Sequence, residues 1–106
     1  MRNKMASGLH KYTVVEAQNA ALGQAGSIFE DGTTAISGKK IVAIQFLEDS
    51  TFTTLTPSSS EFIGTASGSG DAIDTSNTFP QGMTIFGQWT AVTLASGAVV
   101  IYLGTF

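Results

Sequence analysis

The chain has no cysteine, two prolines, one histidine and one tryptophan, and only 12% of its 106 residues are charged. Without cysteine there is no disulfide scaffold, no thiolate zinc site and no cysteine nucleophile. No base follows Lys40: residues 1–40 hold five bases and three acids, a net +2, while residues 41–106 hold five acids alone, a net −5. A body without Lys or Arg cannot make the phosphate contacts on which nucleic-acid affinity rests. No run approaches the ~18 apolar residues of a membrane span. The opening Met-Arg-Asn-Lys leads into no apolar segment, so no secretory signal is expected.

What is abundant is small and hydroxylated: eleven Ser, fourteen Thr and twelve Gly. The length suits one small domain. We read residues 1–35 as an N-terminal arm and residues 36–106 as a β-rich body, an all-β antiparallel sandwich or barrel-like domain. Within the arm, Val14 to Leu22 has fair helix propensity with Gly23 as a stop. The alternative is an extended arm laid across a neighbour, anchored by Tyr12, Val14, Ile28 and Phe29. The basic arm and acidic body also invite head-to-tail contact between copies, although so few bases cluster easily by chance.

The body alternates as strands do. Ile41 to Leu47 sets Val42, Ile44 and Phe46 on one face and Ile41, Ala43, Gln45 and Leu47 on the other, both mostly apolar. Thr51 to Thr56 is a β-branched strand ended by Pro57 and three serines. Residues 64–78 read as a long loop, and Phe79-Pro80-Gln81-Gly82 as a type II turn. Met83 to Ala95 is a long strand with a bulge or bend expected at Gly87. Ser96-Gly97 predicts a tight hairpin returning through Ala98 to Leu103.

Catalytic chemistry finds no footing. His10 has no acid or serine partner in a nucleophile motif, and Glu48 and Asp49 are adjacent, so on a strand they face opposite ways. We expect no enzyme, no cofactor and no metal. Asp71, Asp74 and Asn77 offer oxygen ligands for Ca²⁺, but their spacing misses the EF-hand pattern, and a solvated loop is the expected reading. Gly64, Ser67, Gly68 and Gly70 lack the Lys and the helix of a phosphate cradle. Trp89 and Tyr102 suit stacking on sugar rings, or cross-strand packing, which is the expected role. With Phe46, Phe52, Phe62, Phe79, Phe86 and Phe106 they exceed what a short β layer obviously hides, which points to burial between subunits.

Two runs, KKIVAIQFLEDSTFTTLTPS and FPQGMTIFGQWTAVTLASGAVVIYLG, resemble small virion structural proteins of tailed bacteriophages. Those proteins carry I-x-A-I-Q-F-L-E-D-T-x-F, then a P-x-G turn, then T-I-[YF]-G-x-[WF]-T-x-[IV]-x-L-x-S-G-x-[IV]-I-A-Y. The likeness spans residues 39–104 and departs from the pattern at Val100 to Leu103, where a bulky Leu follows Tyr102. It implies a β-rich accessory protein of the particle, commonly a homotrimer, assembled in the bacterial cytoplasm and resident in the virion. The expected role is capsid decoration, cementing the major capsid protein, with neck, tail or fibre base and a glycan- or receptor-binding module as alternatives. The expected interface residues are Tyr12, Val14, Ile28, Phe29, Phe46, Phe86, Trp89 and Tyr102; no nucleic acid or membrane is expected as partner.

Overall fold

Thr, Val and Ile runs crowd one another along a helix but pack well on a pleated surface, and the described residues form strands and no helix. The computed structural model describes residues 25–66 and 68–106. Tyr12, Val14, His10 and the 14–22 segment lie outside them. Five strands make one antiparallel sheet: β1 (Ser27–Glu30), β2 (Ile36–Phe46), β3 (Thr51–Pro57), β4 (Thr84–Ser96) and β5 (Val99–Leu103), in the order β1-β5-β2-β4-β3. The all-β class expected from the sequence is the class observed. The sheet begins earlier than residue 36, however, because β1, assigned above to the arm, pairs with β5 from Ser27↔Tyr102 to Glu30↔Val99.

The expected hairpin at Ser96-Gly97 does not form. β4 and β5 both run antiparallel to β2 and lie on its two sides, with Ile44 opposite Ile85 on one and Ile101 on the other. Gly97 and Ala98 instead carry the chain across the end of β2, where Leu47 N–H donates to Ala98 O at 2.9 Å. Phe46 N–H donates to Met83 O, also at 2.9 Å. Successive amides are separated by no more than ~3.8 Å, so the carbonyls flanking β4 at its two ends lie within about 10 Å of each other. A straight strand from Met83 to Ala98 would part them by ~50 Å. β4 therefore curls back on itself, and the sheet is barrel-like.

The curl has local causes. Ile41 faces Trp89 but Ala43 faces Phe86, so two steps on β2 match three on β4, which is the bulge expected at Gly87. The same irregularity resets the alternation of β2. Ile41 and Ile44, expected on opposite faces, both reach the core, with Phe46. Inside the sheet, Ile28, Ile101, Ile44 and Ile85 form one cross-strand row from β1 to β4. Beside it Phe46, Phe52 and Phe79 pack ring against ring at centroid distances of 5.1 to 5.8 Å.

Residues 58–83 supply cover that strands do not. Trp89, fully buried, donates its Nε1–H to Ile63 O at 2.8 Å, and Ile73 packs on the core from the expected 64–78 loop. The type II turn forms one residue later than expected: Met83 N–H donates to Pro80 O at 3.2 Å, with Gly82 at φ 88° in the third position.

A candidate interaction face on the outer sheet surface

The alternation that sends four isoleucines inward sends their neighbours outward. Two cross-strand rows result: Phe29, Val100, Gln45 and Thr84, and beside them Ser27, Tyr102, Ala43 and Phe86. None of the eight carries a charge. Adjacent strands lie ~4.8 Å apart, so each row spans about 14 Å. Phe29 and Phe86 stand at opposite corners, each 62% exposed. Between them Tyr102 donates its phenol O–H to Gln45 Oε1 at 3.0 Å, which fixes both side chains over the centre of the sheet. Ala43, Gln45, Thr84, Phe86 and Tyr102 line a shallow hollow of ≈ 330 Å³ floored by the buried Ala43.

This arrangement presents aromatic rings at the rim and a single amide–phenol pair within. Its hydroxyls, on Ser27, Thr84 and Tyr102, have no carboxylate, imidazole or amine beside them among the eight residues of the two rows. What it offers is apolar area to a partner, with Tyr and Phe as the anchors that such surfaces favour.

Of the expected interface residues, Phe29, Phe86 and Tyr102 share this face. Ile28 points into the core row, half-buried. Phe46 and Trp89 are corrected: they are 1% and 0% exposed, and their rings are spent inside the subunit. A buried Trp89 cannot stack on a sugar. Val100, Ala43, Gln45 and Thr84 were not singled out from the sequence, since their company depends on pairing across four strands rather than on any local pattern.

The loop carrying Asp71, Asp74 and Asn77 borders an open groove of ≈ 740 Å³ with Ile63, Ile73 and Phe79. Two of its three candidate calcium ligands, Asp74 and Asn77, are engaged in closing a turn. Asp74 Oδ1 accepts the Ser76 N–H at 2.8 Å and the Ser76 hydroxyl, while Asn77 Oδ1 accepts the Asp74 N–H at 3.0 Å. Among the described residues, no three His, Cys, Asp or Glu side chains gather to hold a metal ion. The Ser76 side-chain and backbone bonds hold the Asp74 carboxyl below its ordinary value of 3.8. A carboxylate lowered in this way favours the folded turn above its unfolded pKa, and that contribution is lost as pH falls through the lower folded value. Carbon-detected NMR titration should find Asp74 titrating below 3.8, and Ser76→Ala should move it back upward.

Set against known proteins, the chain matches no family, no curated protein and no solved structure.

Proposed function

We propose that this protein is a non-catalytic structural subunit of a bacteriophage virion, a capsid decoration protein that seats its outer sheet face on the major capsid protein. The observation that carries the reading is the uncharged face with Phe29 and Phe86 each 62% exposed at its corners. The phage-like strand pattern of residues 39–104 supports it. Covering such a face releases water from apolar area and adds free energy to the assembled state alone, so bound copies stabilise the shell by mass action.

The test is binding of the purified protein to shells stripped of accessory subunits. The Phe29→Ser/Phe86→Ser double variant should bind at least about tenfold more weakly, with its urea midpoint unchanged because neither ring is buried. Binding that scales with the number of capsid subunits supports a shell position. Retention at a fixed small number of sites places the protein at the neck or tail, and undiminished binding by the double variant removes the face from the interaction.

A further inference from the structure

The two edges of the sheet are finished differently. On β3 the outward backbone groups of Leu55 are taken up within the chain: its N–H donates to Thr65 Oγ1 at 3.0 Å, and its carbonyl accepts the Thr65 N–H at 2.9 Å. Pro57, at the end of that strand, has no N–H to offer. On β1 the described residues provide no equivalent cover, and among them β5 is its one strand neighbour. Leu103 N–H donates to Gly26 O at 2.8 Å, which sets the phase of the ladder. Gly26, Ile28 and Glu30 thus turn their backbone groups toward β5, and Ser27 and Phe29 turn theirs away from the sheet. β1 is short, which limits the open edge to a few groups, but it has no Lys and no Pro, and its pairing with β5 is unshifted. Its one acid, Glu30, folds back to accept the Gly32 N–H at 3.0 Å.

We propose that β1 pairs antiparallel with β1 of a second copy about a two-fold axis at Ile28, joining two sheets into one of ten strands. The edge is self-complementary in this register. Ser27 and Phe29 of each copy face Phe29 and Ser27 of the other, and their four outward N–H and C=O pairs close into four hydrogen bonds. The side chains agree with it. Ile28 meets Ile28 and continues the core row of isoleucines across the axis. Phe29 lies over the small Ser27 of the second copy and next to its Tyr102, which covers a ring that is 62% exposed in the single chain. Glu30 falls opposite Gly26, so no acid faces an acid. A two-fold pairing closes after two copies and uses up the edge, whereas the resemblance to phage proteins implies a trimer. The inference goes beyond the proposed function and does not depend on it: the pairing covers Phe29 and leaves the Phe86 corner of the outer face to the shell.

The contact is short, so association depends on concentration. Sedimentation of the full chain should show a mass rising from 11.0 kDa toward twice that value as concentration increases. Hydrogen exchange at the Phe29 amide should slow in step with the rise. Phe29→Pro removes an N–H that makes no bond to β5, and with it two of the four edge bonds in the dimer. It should weaken association at least about tenfold, and more than Phe29→Ala, which keeps the N–H. Phe86→Ser should leave the dimer intact while weakening shell binding, so the two proposals fail separately. A constant mass of 11.0 kDa at all concentrations overturns the pairing. So does a trimer, or a Phe29 amide protected at every dilution, which would mean that residues 1–24 of the same chain cover the edge. Should Phe29→Pro fail to fold, the concentration dependence of exchange in the unaltered chain still decides.

Discussion

Trp89→Ala should destabilise the protein by about 4 kcal/mol, a large part of the ~5–10 kcal/mol that holds a domain of this size together. The ring is fully buried, and its residue sits between two strands, opposite Ile41 of β2 and Pro57 of β3. Its Nε1–H is donated to Ile63 O at 2.8 Å, so one side chain ties the curled sheet to the segment of residues 58–83 that covers it. Truncation empties the space under that segment and leaves a carbonyl without its donor. Trp89→Phe keeps most of the ring and loses the bond, and it should cost less, about 1–2 kcal/mol. Urea titration followed by far-ultraviolet circular dichroism measures both. A loss below about 1 kcal/mol for the alanine variant would be incompatible with a fully enclosed ring.

Gly97→Ala should cost about 3 kcal/mol, although it adds a single methyl group on a surface connection. Gly97 has φ 98°, a backbone state that L side chains rarely adopt. A Cβ there would overlap Ser50 Oγ and sit 2.7 Å from Asp49 O and Ser50 Cα. Neither neighbour can easily move, because Ser50 is itself buried, with its hydroxyl donated to Glu48 O at 2.8 Å and its N–H to Phe79 O at 2.9 Å. Gly82→Ala is the natural control. Its φ of 88° is comparable, but a Cβ would meet nothing within 4 Å, so only the strain remains, about 1 kcal/mol. The difference between the two variants isolates the close approach of the β4–β5 connection to the end of β2. Equal losses would mean that the two segments do not touch.

The strands themselves were legible in the sequence, because alternation and β-branching are local properties. Thr51 to Thr56, Met83 to Ala95 and Ala98 to Leu103 are found within a residue or two of β3, β4 and β5. Pairing was not legible. Ser-Gly between two apolar strands reads as a hairpin, yet Gly97 is glycine because Ser50 comes so close, and nothing near residue 97 records on which side of β2 the next strand must lie. The same limit governed the aromatics. Phe46, Phe86 and Trp89 look alike in a strand pattern; alternation sets Phe86 and Trp89 on opposite faces, and only the pairing of β4 with Ile41 and Ala43 of β2 decides that Trp89 is the one facing in. β1 escaped notice because Ser-Ile-Phe-Glu is only four residues long, too short for its period to stand out against the polar residues around it.

Except for β3 and β4, which are parted by residues 58–83, no two strands that follow one another in the chain are hydrogen-bonded neighbours. Nothing in this sheet can therefore form early as a local unit. As the polypeptide emerges from the ribosome, β1 and β2 have no partners until β4 and β5 have been made, and β5, last of the five, alone joins β1 to the rest. The edge that β1 leaves open among the described residues thus exists only in chains that have already finished folding. An unfinished chain exposes unpaired apolar strands to its neighbours, and folding waits on distant contacts, the condition that makes β proteins slow and aggregation-prone. Yield during expression should accordingly depend on temperature and crowding of nascent chains more than the stability of the finished domain would suggest.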